Sequence, residues 1–161
     1  MNPETAEKVE KVFALFGVET FFGLQRAYSA EDQRLMKGGL WDDQDASLLT
    51  NWTKAILELI DPTQLDPDDQ GWRQEILWFW YHHAISCAIW KRKDRGLAQL
   101  YAENALKLQA SDHPNQITRL LWYLVHDQLQ EAQHWAEQII EDPEHTTAQE
   151  LIDEHVKGGF F

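Results

Sequence analysis

Cysteine and long apolar runs are both scarce in this sequence. Cys87 is the single cysteine, so neither an internal disulfide nor a C-x-x-C motif can form, which is typical of a reducing compartment. The most apolar run, "LWFWYHHAISCAIW" at 77–90, is bracketed by Glu75 and Lys91. It is shorter than the roughly 20 residues that a membrane-spanning helix needs. The N-terminal residues also lack the basic and apolar regions of a signal peptide. These absences predict a cytoplasmic protein that does not enter a membrane.

Positive charge is scarce as well. The chain has 14 Lys and Arg against 27 Asp and Glu, a formal charge of −13. Such a field disfavours binding to the phosphates of nucleic acids and of anionic lipids, so neither is a predicted partner. An acidic decoy of a basic partner is one alternative function. Residues 71–111 argue against it, because they are net positive, with a peak at "KRKDR" (91–95).

Motifs of catalysis and of nucleotide binding are absent. The sequence has no Walker loop, no G-x-G-x-x-G and no EF-hand pattern. Ser86 lacks the G-x-S-x-G context of a hydrolase nucleophile. Nucleophilic catalysis through Cys87 would need an exposed thiolate with a base in reach, and nothing around it forms a known signature such as a Gly-rich elbow. The sequence therefore predicts a protein that is not an enzyme and carries no cofactor.

Helical periodicity, by contrast, runs along almost the whole chain, and β-branched residues are sparse. The first predicted helix ends at Gly17. A second helix, or two short ones, follows over 20–36 and ends at Gly38–Gly39. A third, over 48–60, is capped by Asp45 or Ser47 and carries its apolar residues on one face. That face comprises Leu48, Trp52, Ala55, Ile56 and Leu59. Five more helices are predicted at about 72–93, 97–109, 114–127, 130–141 and 146–157.

The predicted class is all-α, a helical bundle forming one domain over residues 1–161. The one organisational boundary is expected in "DPTQLDPDDQG" (61–71), an acidic loop with two Asp-Pro turn signals. N-terminal helices precede it in 1–60, and helix pairs with a final capping helix follow it in 72–161.

An internal repeat connects two of the later helices. When 95–108 is placed over 129–142, Ala98 falls on Ala132 and Ala102 on Ala136, at an offset of 34 residues. Tyr101 in the same way falls on Trp135. A 34-residue helix–turn–helix unit with small residues at fixed spacing resembles the tetratricopeptide repeat, over roughly residues 79–145. Pro143 matches the closing proline of that family, whereas Gln109 replaces it in the first unit.

The tetratricopeptide resemblance implies an α-α superhelix of antiparallel helix pairs and a role in protein binding. In that family the first helix of each unit lines a concave groove that holds a partner peptide or helix. The resemblance thus implies a non-catalytic adaptor, or an assembly or secretion-type chaperone, that binds another protein or a peptide. A homodimer is left open, as is a groove covered by the N-terminal helices. The implied partner-binding residues are Trp80, His83, Cys87, Trp90, Lys91, Arg92, Ile117, Leu121 and Leu124.

A metal- or haem-linked sensor is the second alternative function. His83 and Cys87 are four residues apart and so share one face of a helix. A tetrahedral zinc site needs three or four protein ligands, and the other histidines, His113, His126 and His134, show no diagnostic spacing.

At the C-terminal end, "GGFF" (158–161) is expected either to dock in a groove or to pack on the neighbouring helix.

Overall fold

The computed structural model describes residues 1–108, 114–139 and 144–161. Within these ranges the chain forms eight α-helices and a short 3-10 helix (Pro62–Gln64), with no strand. The all-α prediction is therefore confirmed. Gln109, His113 and Pro143 lie outside the described residues. The helices are α1 (Pro3–Phe16), α2 (Phe21–Lys37), α3 (Leu48–Glu58), α4 (Pro67–Trp90), α5 (Arg95–Lys107), α6 (Pro114–Val125), α7 (Leu129–Gln138) and α8 (Glu144–Gly158).

The chain divides into two compact units. Unit 1 is Met1–Trp80 and unit 2 is Tyr81–Phe161. The division falls inside helix α4, whereas the sequence placed the organisational boundary in the loop at 61–71. A single domain over 1–161 stays a prediction.

Local capping explains where the first two helices begin and end. Asn2 accepts a hydrogen bond from the Thr5 backbone N–H at the start of α1, and Thr20 accepts one from Gly23 N–H at the start of α2. Gly17 ends α1 in the left-handed region, with a φ of 65°, a conformation that costs glycine little. The predicted stop at Gly17 is confirmed.

The predicted acidic loop at 61–71 is shorter than expected, because α4 begins at Pro67 instead of Trp72. The Asp66 carboxylate accepts a hydrogen bond from the Asp69 backbone N–H at 2.9 Å, as an N-cap does. Proline suits the first helical position, since its missing N–H would have no partner there. The second Asp-Pro pair is thus a helix start and not a turn.

Helix α3 packs with α1 and α2 inside unit 1, and its buried side carries two threonines together with Leu57. Thr50, Thr53 and Leu57 are fully buried. The face opposite is apolar and exposed, contrary to the usual rule that the apolar side of a helix faces the core. The exposed residues, here named the α3 stripe, are Leu48, Trp52, Ala55 and Leu59.

In unit 2 the helices α5 to α8 pack consecutively, and α6 contacts α8 as well as α7. The small residues singled out in the 34-residue repeat are all buried on α5 and α7. Small side chains at these positions let helix backbones approach closely. The fully buried alanines of these two helices are Ala98, Ala102, Ala105, Ala132 and Ala136.

Candidate interaction surface

Four of the nine sequence-predicted groove residues are core residues in the structure. Trp80 is 8% exposed and Cys87 5%, while Leu121 and Leu124 are exposed by 1% and 0%. A side chain with so little accessible surface has little area to offer a partner in this conformation. These four residues are packed in the interior, and their part in a partner-binding groove stays a prediction.

Trp80 is held by a polar and aromatic cluster within unit 1. Its indole N–H donates to the Asn51 side-chain oxygen at 3.1 Å, and its ring lies 5.5 Å from that of Trp41. The Lys54 amine lies 4.6 Å above the Trp80 ring centroid, an attractive cation–π arrangement. Trp41 in turn donates to the buried Asp32 carboxylate at 2.9 Å. Because the indole of Trp80 is satisfied inside the protein, its role here is to order the core.

Trp90 also has partners within its own unit. Its indole N–H donates to the Glu154 carboxylate at 2.6 Å, and its ring meets the Phe160 ring edge-on at 5.5 Å. Phe160 is 1% exposed and also packs against His155 of α8. Of the two expectations for "GGFF", packing on the neighbouring helix is the one that the structure shows for Phe160.

The remaining groove candidates lie at the surface or near it. His83 and Ile117 are half-buried, and Lys91 and Arg92 are exposed. Nearby basic side chains are partly used in internal contacts, since Lys93 donates to the Phe160 carbonyl oxygen at 3.3 Å.

The described residues provide no set of ligands for the metal site that the sequence offered as an alternative. Among them no group of three or more His, Cys, Asp and Glu side chains is placed to hold a metal ion. His126 Nδ1 lies 2.7 Å from the Trp122 carbonyl oxygen, and His134 Nε2 lies 2.9 Å from the Gln138 amide nitrogen. These two histidines therefore have local partners and do not join His83 and Cys87.

The sequence predicted that the residues of the α3 stripe share one face of the helix. It did not predict that this face is exposed to solvent. Leu48, Trp52 and Leu59 are 39%, 52% and 67% exposed, and Ala55 between them is exposed too. Intervals of four, three and four residues keep the four side chains within about 60° of the helix circumference. The stripe therefore forms one continuous apolar row over three helical turns.

Threonine hydroxyls make the inverted packing of α3 possible. Thr50 Oγ1 donates to the Ser47 carbonyl oxygen, and Thr53 Oγ1 to that of Leu49, each at 2.8 Å. A hydroxyl that bonds to its own helix can be buried without the cost of an unpaired polar group. Two threonines three residues apart on the side opposite to an apolar row are the sequence signal that would have indicated this orientation.

Carboxylates surround both ends of the α3 stripe. Asp43 and Asp45 are exposed in the turn before α3, and Glu58 and Asp61 are exposed beside its last residues. The pKa of Asp61 lies below its ordinary value because the Thr63 hydroxyl and backbone N–H both donate to its carboxylate. Lys54, on the same helix, pairs with Glu58 at 3.1 Å. The surroundings of the stripe are therefore predominantly acidic.

Unit 2 contains a pocket of about 290 Å³ between α6 and α7, which is small for a ligand site. Trp135 is already engaged there, because its indole N–H donates to the Gln116 carbonyl oxygen and Arg119 stacks on its ring. Nothing in this arrangement converges on a ligand. The pocket is lined by Tyr123, Gln130, Glu131, His134 and Trp135.

Comparison with protein-family models, with curated proteins and with solved structures gave no significant match for this chain. Among the described residues, no helix combines the length and the apolar character needed to cross a bilayer.

Proposed function

We propose that the protein is a non-catalytic protein-interaction module whose docking surface is the α3 stripe. The observation that carries this proposal is the inverted packing of α3. Its apolar row is exposed while its threonine face is buried. The role agrees with the one expected from the sequence, an adaptor or an assembly or secretion-type chaperone, but the proposed surface lies in unit 1.

The composition of the α3 stripe suits a docking surface. Large contiguous exposed apolar patches with a polar rim often mark interaction sites on soluble proteins. Tryptophan is enriched among the residues that dominate binding energy, and Trp52 lies near the centre of the row. An amphipathic helix of a partner can lay its own apolar side along such a row.

The TPR-like repeat is a second part of the proposal, as the scaffold in unit 2. It is supported by the burial of the repeat alanines on α5 and α7 and by the contact of α6 with α8. Contacts between every second helix are expected when helix pairs stack in a superhelix. A reducing, cytoplasmic setting is also proposed, in keeping with a chain whose single cysteine, Cys87, is buried.

Paired substitutions test the docking surface. Leu59→Glu places a charge in the stripe, and Leu100→Glu is its matched control, since Leu100 on α5 is 52% exposed. Both variants should keep the wild-type circular dichroism spectrum and thermal midpoint. In quantitative affinity capture from native lysate, only Leu59→Glu should lose partners that the wild-type protein retains. Identical capture profiles for the wild type and Leu59→Glu would show that the stripe is not the docking surface.

A further inference from the structure

The charge of unit 1 restricts the kind of partner that can bind the α3 stripe. This inference rests on the proposed function of the stripe as a docking surface. Unit 1 carries 15 Asp and Glu but only 7 Lys and Arg, a formal charge of −8. Exposed carboxylates lie near both ends of the stripe, at Asp43 and Asp45 before its first residue and at Glu58 and Asp61 on either side of its last. An occupant of the stripe must therefore tolerate a strongly negative field.

We infer that the α3 stripe binds a basic amphipathic helix, an apolar row flanked by Lys and Arg, supplied by a partner protein. The 4-3-4 spacing of the stripe is that of the a and d positions of a heptad, which pack against another helix. Basic flanks on that helix would meet the carboxylates at both ends of α3. Attraction between opposite fields would also steer the encounter.

A second copy of the chain fits the same surface less well. Two copies would bring together two units of charge −8, and like charges across an interface are costly. The basic side chains near the stripe are already engaged, since Lys54 pairs with Glu58 and lies over Trp80. Lys8 likewise bonds to Glu4 and to the Leu59 carbonyl oxygen. Both lysines are thus held by contacts within their own unit, and the charge of −8 already includes them.

Synthetic helical peptides of about four turns test the charge requirement. The first carries leucines at heptad a and d positions with lysines beside them. The second keeps the leucines but has glutamates in place of the lysines, and the third keeps the lysines with the leucine positions scrambled. By fluorescence anisotropy at low salt, the first peptide should bind at least about tenfold more tightly than either of the others. Its affinity should fall as salt is added.

Protein variants assign that binding to the stripe. Leu59→Glu should abolish binding of the lysine-flanked peptide, and the control Leu100→Glu should leave it unchanged. The double variant Asp45→Asn and Glu58→Gln should weaken it several-fold and reduce its salt dependence. Circular dichroism spectra of all variants, which should match the wild type, exclude loss of folding as the cause.

The possible outcomes separate the two proposals. Equal binding of the lysine- and glutamate-flanked peptides would overturn the basic helix while leaving the stripe as a docking surface. Lysine-peptide binding that survives Leu59→Glu would show attraction to the acidic surface alone and would overturn both. Analytical ultracentrifugation that finds a dimer dissociated by Leu59→Glu would identify a second copy as the occupant and overturn the basic helix.

Discussion

Helices α3 and α6 have comparable amphipathic patterns, but the apolar row is buried on α6 and exposed on α3. On α6 the apolar residues Leu120, Leu121, Leu124 and Val125 are all buried in unit 2. On α3 the apolar row is exposed, and unit 1 is packed against its threonines. An apolar row therefore identifies a helix and one of its faces, whereas burial of that face depends on the neighbouring helices.

The largest change in the free energy of unfolding is expected from truncating a buried leucine, and an exposed leucine provides the matched comparison. Leu124→Ala on α6 should lower the free energy of unfolding by about 2–5 kcal/mol, because it leaves a cavity in the core. Leu59→Ala on α3 should change it by less than about 0.5 kcal/mol, since the side chain is 67% exposed. Urea denaturation followed by circular dichroism measures both. Comparable losses would show that Leu59 is packed in solution.

A second pair adds volume instead of removing it. Ala136→Leu on α7 should cost about 1–3 kcal/mol, because the position is fully buried and the larger side chain would separate packed helices. Ala55→Leu within the α3 stripe should be nearly neutral for stability and should strengthen binding of an apolar partner. Thermal unfolding checks the first claim, and peptide titration checks the second. A tolerated Ala136→Leu would remove the packing reason for the repeat alanines.

Periodicity predicted the helices and several of their ends well. Gly17 stops α1 where expected, and the alanines that the sequence aligns on α5 and α7, such as Ala98 and Ala132, are buried. These features depend on short-range chemistry, namely the left-handed cap of a glycine and the need for small residues between close helices. Local signals of this kind do not require knowledge of the neighbours.

The face presented by each helix was harder to predict. Helix α4 is apolar on nearly all sides along "LWFWYHHAISCAIW", so no pattern indicates which residues are covered. For that reason the sequence pattern assigned Trp80 and Cys87 to a groove, although both are buried. On α3 the hydroxyls of Thr50 and Thr53 bond to their own helix, so a face that reads as polar can be buried.

A smaller effect concerns Tyr28 of unit 1, which is fully buried on α2. Its hydroxyl has no hydrogen-bond partner among the described residues. A buried hydroxyl without a partner costs about 1–3 kcal/mol, so Tyr28→Phe should raise the free energy of unfolding by about 1 kcal/mol. Urea denaturation at neutral pH gives the comparison. A destabilised variant would mean that the hydroxyl has a partner after all.

Tyr28 also gives unit 1 a predicted sensitivity to alkali. Burial, and secondarily the charge of Asp32, raise the pKa of Tyr28 well above its ordinary value of 10.0. The unfolded chain therefore loses this proton at a lower pH than the folded chain does. Stability that is complete below about pH 10 is then lost as pH rises further. The wild type should therefore weaken more steeply than Tyr28→Phe as pH rises above about 10. Parallel curves would contradict the assignment.

The smallest expected effect tests whether the acids of unit 1 contribute to folding or are available for binding. The pKa of Glu31 lies below its ordinary value of 4.5, first because Arg34 donates hydrogen bonds to it and then through the charge of Arg34, while partial burial opposes the shift. The associated stability is present above pH 4.5 and lost as pH falls through the lowered pKa.

Carboxyl NMR titration should therefore place Glu31 below 4.5 in the wild type and nearer 4.5 in Arg34→Gln. Because exposed ion pairs contribute little, both proteins should unfold at nearly the same temperature at pH 7. A large drop for Arg34→Gln would mean that the Glu31–Arg34 pair itself stabilises unit 1, against the small contribution usual for exposed ion pairs.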